Sequence, residues 1–185
     1  TRIINFLDTH VPQLLDKNHV SGAVITLICR DTVVLKGYGT LGFDLDEPMD
    51  AKETPVFVAS LSKLFTAVGI MQLYEQGKLS LDTDINMYLK DFQIEYPYKE
   101  PITIHHLLTH TAGFDDRFLG MGAKTKDHVL PLGEYLSKRL PPIVFPPGSA
   151  ISYSNHGFAL LGHIIEEVSG KKFNDYMKEY LFEPL

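Results

Sequence analysis

Apolar side chains recur at Ile3, Ile4, Phe6, Leu7, Val11, Leu14 and Leu15, close to the spacing of a helix over residues 2–18. Pro12 falls inside that pattern, and because proline removes a helical hydrogen bond it is expected to break or restart the helix. From Gly22 the pattern changes to an apolar run, Ala23 to Cys29, then polar Arg30-Asp31, then Thr32 to Tyr38. Two β-rich runs joined by so few polar residues predict an antiparallel hairpin. Residues 41–55 are turn-rich and expected to be irregular.

The clearest helix begins near Ser60, with Leu61, Leu64, Phe65, Val68, Met71 and Tyr74 three or four apart and Gly77-Lys78 as a stop signal. A short apolar helix is expected from Ile102-Thr103 through Leu108, and Pro141-Pro142 and Pro146-Pro147-Gly148 frame a rigid loop. Phe158, Leu161, Ile164, Ile165 and Val168 share one face of a further helix capped by Gly170, and a last helix begins near Lys172. Helix, hairpin, then mostly helices predicts an α+β fold. A hairpin alone is marginal, so further strands are expected to complete its sheet.

The chain has 185 residues, 44% hydrophobic and 22% charged, enough for one domain with a core. Its formal charge of -6, with no Lys/Arg run, argues against nucleic acid or an anionic membrane as partner. No stretch approaches the ~20 apolar residues of a transmembrane helix, and no signal peptide opens the chain. Starting at Thr1, it reads as a processed or trimmed chain, and Tyr180 to Leu185 reads as a segment that continues. The single cysteine, Cys29, lies in an apolar run and is expected to be buried.

Ser60-Leu-Ser-Lys63 sets a hydroxyl and an amine three residues apart on one face of a first helical turn. Serine needs a neighbour to take its proton, and a desolvated lysine near a helix N-terminus can do so. By itself the spacing arises by chance about once in a chain of this length, and serine also suits an N-cap. Tyr153-Ser-Asn155 follows Pro-Pro-Gly and precedes a helix, where a phenol can shuttle protons and an amide can bind a carbonyl. Asn155 could equally be the N-cap of a helix starting at His156.

Three segments bring these together. Val58-Ala-Ser-Leu-Ser-Lys-Leu-Phe-Thr-Ala67 resembles the nucleophile helix of class C β-lactamases and their relatives. Ile102-Thr-Ile-His-His-Leu-Leu-Thr-His-Thr-Ala-Gly-Phe114 resembles the segment that follows it, and Pro147 to Gly162 resembles the Tyr-x-Asn region of the same superfamily. They occur in the family's order, with 93 positions between Ser60 and Tyr153. The resemblance to the serine β-lactamase/penicillin-binding-protein superfamily runs from about residue 20 to the end, as the N-terminal part of one β-lactamase/transpeptidase-like domain: helix and hairpin over 1–59, nucleophile helix and helical region over 60–185.

The resemblance implies Ser60 as acylated nucleophile, Lys63 as its base, Tyr153 as second proton carrier and Asn155 as a contact to the substrate's acyl side. It also implies the Ser60 backbone N–H as half of an oxyanion hole, no cofactor, and acyl transfer from a small-molecule or peptide amide, lactam or ester. Relatives divide among β-lactamases, D-Ala-D-Ala carboxypeptidases, D-amino-acid peptidases and esterases, and are mostly extracytoplasmic. They carry a later Lys/His-x-Gly strand motif that nothing after Tyr153 matches. The chain alone is therefore expected to be weakly active or inactive, and to self-associate through an unfinished sheet edge. The alternative is a non-catalytic penicillin-recognising or assembly module, which would have no need of Ser60, Lys63 and Tyr153 together.

Other features are expected to be structural. His106 and His110 have i, i+4 spacing but lack the Glu of a His-Glu-x-x-His site, and His156 and His163 read as the polar edge of a helix, so no metal is expected. Asp115-Asp116 and Glu166-Glu167 read as solvated surface. Tyr96-Pro-Tyr98 and Phe118–Met121 are candidates for lining a cleft. No Gly-x-Ser-x-Gly elbow or phosphate loop is present.

Overall fold

The two-residue Arg30-Asp31 link closes a tight hairpin between β1 (Gly22–Cys29) and β2 (Thr32–Gly42), in a register running from Gly22 opposite Gly39 to Cys29 opposite Thr32. Arg30 takes the left-handed conformation, φ 52°, that so short a connection requires. In the computed structural model, which describes residues 2–118 and 121–185, a third strand follows, β3 (Leu45–Pro48), giving the antiparallel order β1-β2-β3. Residues 41–55 are thus partly strand rather than irregular. Leu45-Asp-Glu-Pro48 is acidic and exposed along its length, so it carries no alternating apolar signal from which a strand could be read.

α1 (Arg2–Lys17) runs through Pro12 without a break, a correction to the expected interruption. Losing one hydrogen bond removes a small part of the ladder of a 16-residue helix. Asp8 on α1 accepts from Tyr38 Oη at 2.7 Å and pairs with Lys36 at 3.0 Å, which ties the helix to β2. These elements form the first of two compact units, Thr1–Phe57; the second is Val58–Leu185. Cys29, expected to be buried, is exposed, because it ends the half of β1 that is exposed along its length.

The second unit is helical: α2 (Ser62–Glu75), α3 (Ile104–Leu108), α4 (Leu132–Arg139), α5 (Asn155–Ser169) and α6 (Phe173–Met177), which continues as a π-turn over Lys178–Phe182. α2 ends in a Schellman arrangement, with Lys78 N–H bonded to Leu73 O, Gly77 N–H bonded to Tyr74 O, and Gly77 at φ +68°. α5 is the central helix, packed on α2, α3, α4 and α6. Leu160, Leu161, Ile164 and Ile165 of α5 are fully buried with Ile70 and Leu73 of α2, Leu107 of α3, Leu136 of α4, and Ile85, Ile102 and Phe114 from the connections. Each contributes about 1.5–3 kcal/mol of apolar transfer.

Two faces differ from expectation. The apolar stripe that marks α2 in the sequence, Leu61, Leu64, Phe65, Val68, Met71 and Tyr74, is exposed, and the helix packs through Thr66, Gly69, Ile70 and Leu73 instead. A Cβ on Gly69 would lie 2.4 Å from Met177 and 3.0 Å from Ile165, so glycine there allows the close approach. His156 and His163, expected at a polar edge, are buried at 1% and 2% exposure because α5 is enclosed on several sides. Glu166 and Glu167 are likewise mostly covered and bonded, not solvated. No helix among the described residues is long and apolar enough to cross a membrane.

Candidate active site

Ser60 sits in the 3-10 turn Ala59–Leu61 that feeds directly into α2. The residue before it, Ala59, is left-handed at φ 44°, a conformation costing an L-residue roughly 1–2 kcal/mol. Ser62 Oγ donates to Ala59 O at 2.6 Å and Leu61 N–H to Val58 O at 3.0 Å, which hold the turn. Lys63, one turn on, returns its ammonium to the same place. Its Nζ donates to Ser60 Oγ at 3.3 Å and to Asn155 Oδ1 at 2.7 Å.

Tyr153 arrives from the other side. Its hydroxyl donates to Ser60 Oγ at 2.8 Å, and its ring lies 4.8 Å from Lys63 Nζ. The neighbouring Lys63 ammonium, then the Ser60 hydroxyl, favour the phenolate and hold the phenol below its ordinary value. Lys63 and Tyr153 therefore converge on the Ser60 hydroxyl, with Asn155 one step behind on the Lys63 ammonium, although 93 positions separate Ser60 from Tyr153.

Asn155 is not the N-cap. Ser154 is: its Oγ accepts from Gly157 N–H at 3.0 Å, so Asn155 is the first residue of α5 and its amide oxygen is free to take the Lys63 proton bond. The strap that presents Tyr153 is anchored by His110, itself left-handed at φ 56°. His110 O accepts from Ser152 N–H at 2.8 Å, its Nδ1 accepts from Ser154 N–H at 3.1 Å, and its ring lies 4.4 Å from that of Tyr153. Burial, then the Lys63 charge, keeps His110 neutral by lowering its pKa, as an Nδ1 acceptor requires. The sequence reading left His110 a structural residue; that its turn holds the tyrosine strap needed the tertiary contact.

The remaining candidates lie elsewhere. His106 Nδ1 accepts from Thr103 N–H and Thr103 Oγ1 from His106 N–H, a capping pair for α3. Tyr96 donates to Asp84 and Tyr98 to Val144 O, so both brace connections. Phe118 is exposed, Met121 lines a cavity of about 1000 Å³ that reaches Asn155 and His156, and Leu119 and Gly120 of that stretch lie outside the described residues.

A hydroxyl held between an amine and a phenol, at the head of a helix, can lose a proton on attack and have one returned to a leaving group. Protein flp of Staphylococcus aureus (strain MW2) is 31% identical over 97% of this chain and 36% of its own length. Penicillin-binding protein 4* of Bacillus subtilis (strain 168) is 32% identical over 96% of this chain and 39% of its own. The chain thus spans little more than a third of the length of these curated relatives. Among solved structures, the octameric penicillin-binding protein homologue from Pyrococcus abyssi superposes with a TM-score of 0.82 at 31% identity, over 98% of this chain and 42% of that one. The Beta-lactamase family model matches residues 7–185, and the chain belongs to that family, with the α+β fold of β-lactamases and penicillin-binding proteins.

Proposed function

We infer that this chain carries the nucleophile half of a serine hydrolase that forms an ester intermediate on Ser60 from an amide, lactam or ester. The observation that carries the reading is the pair of contacts on Ser60 Oγ, 2.8 Å from Tyr153 Oη and 3.3 Å from Lys63 Nζ. Ser60 Oγ attacks the carbonyl carbon while its proton passes to the phenolate form of Tyr153 or to Lys63. The Ser60 backbone N–H donates to the developing oxyanion. The same tyrosine or lysine then protonates the leaving nitrogen or oxygen as the carbonyl reforms. Water repeats the sequence on the Ser60 ester. Asn155, bound to Lys63 through Oδ1, fixes the amine and offers its amide N–H to the acyl side of the substrate.

The test is intact mass after incubation with a fluorophosphonate and, separately, a penicillin, on wild-type protein and S60A. One adduct per chain in wild type and none in S60A is expected. An equal adduct in S60A, or none in a wild-type protein extended to the full length of its relatives, overturns the reading.

A further inference from the structure

At the far end of α5, about 12 Å along the helix from Asn155, a second cluster stands outside the serine site. Asp91, His163 and Glu167 each bring one donor atom within 4.8 Å of the others. His163 and Glu167 are one turn apart on α5, and Asp91 follows the 3-10 turn Ile85–Met87. The His163 side chain is 3% exposed, yet its Nε2 has no hydrogen-bond partner among the described residues; Glu167 Oε1 is 3.8 Å away.

The other ring nitrogen explains which way His163 faces. Nδ1 lies 3.5 Å from Glu166 Oε2, and Glu166 is oriented by the Phe173 N–H bonded to its Oε1 at 2.9 Å. A carboxylate at Nδ1 fixes the proton there and leaves the Nε2 lone pair pointing outward, the arrangement that orients metal-bound imidazoles. The ring also stacks on Phe92, 5.8 Å away and 10° from parallel. Its lone pair therefore faces the carboxylates of partly buried Glu167 and exposed Asp91, a repulsion that a cation between them relieves.

Space for that cation exists. A cavity of about 390 Å³ opens against His163, Asp91 and Glu167. Gly133 forms its wall: a Cβ there would stand 2.6 Å from His163 Cε1, 3.0 Å from Nε2 and 3.3 Å from Asp91 Oδ2. Of the three lysines that line this cavity, Lys90, Lys171 and Lys172, two are already paired. Lys90 is spent on Glu167 O at 2.6 Å and Oε2 at 3.4 Å, leaving Oε1 toward His163, and Lys171 pairs with Glu179 at 2.8 Å.

We propose that Asp91, His163 and Glu167 form a divalent metal site, with zinc as the favoured ion. One imidazole nitrogen and two carboxylate oxygens suit zinc, whose ~2.0–2.1 Å bonds set tetrahedral donors about 3.4 Å apart. His163 and Glu167 are near that separation already, and exposed Asp91 closes by side-chain rotation. The ion clamps the Asp91 loop to α5, with a fourth position open to the cavity.

Calorimetric titration of chelator-treated protein with zinc chloride tests this, using wild type, D91N, the D91N/E167Q double variant and the surface control D127N. One zinc per chain is expected in wild type and D127N, weakened at least ~10-fold in D91N and lost in the double variant. Because Asp91 is exposed, D91N does not strain the fold. In parallel, nitrogen-15 spectra of the imidazoles should show His163 Nε2, not Nδ1, shifting on zinc addition. Equal affinity in wild type and the double variant, no zinc binding in wild type, or a shift confined to other histidines overturns the proposal.

Discussion

Tyr153→Phe isolates one proton path. The variant removes the hydroxyl 2.8 Å from Ser60 Oγ and keeps the ring that packs 4.4 Å from His110 and 4.8 Å from Lys63 Nζ. Tyr153 is 46% exposed, so no buried partner is orphaned and stability should change by less than about 0.5 kcal/mol. Ser60 keeps Lys63, at the longer distance of 3.3 Å. Loss of a positioned acid–base group costs roughly 10²–10⁴ in rate, or about 2.7–5.4 kcal/mol of barrier. The assay is the second-order rate of Ser60 acylation by a fluorophosphonate, followed by intact mass across pH. If Tyr153 acts as phenolate, the wild-type rate falls as pH drops through its lowered pKa, since protonation removes the base; in Y153F that limb disappears. A Y153F rate within twofold of wild type, with the same pH profile, would refute the assignment.

Ile164→Ala opens a cavity at a fully buried position of the central helix and should cost about 2–5 kcal/mol, read as a lower urea midpoint at unchanged slope; a loss below ~1 kcal/mol would show that the neighbouring helices collapse onto the gap. Stability should also fall on acidification below the ordinary histidine value of 6.5, because burial leads the causes that lower His106, His110 and His156. The sign follows from proton counts: with folded pKa values depressed, the unfolded chain binds more protons between those values and 6.5, so stability is present above 6.5 and lost below it. Thermal melts at pH 7.5 and 5.5 check this, and equal or higher stability at the lower pH would contradict it.

Much of the chemistry was local enough to read. Ser60 and Lys63 share one helical turn, so spacing alone put them on one face, and Gly77 and Gly170 end their helices as glycines do. The hairpin was equally plain, because its two strands are joined by two polar residues. The long segments around Ser60 and Tyr153 identified the family before any distance was known.

Other features depended on partners distant in sequence. Spacing could not bring Tyr153 onto Ser60, since that contact closes a 93-residue interval through the His110 turn. Nor could it choose the packed face of α2, a helix apolar on several sides, where Gly69 rather than the periodic stripe meets α5. Asp91 and His163 are likewise joined only by the folded core. Local patterning determines which elements form and where they stop, because those depend on neighbours within one turn. Which faces meet, and which distant polar atoms share a site, depends on closing long loops around one core, and only the tertiary structure decides that.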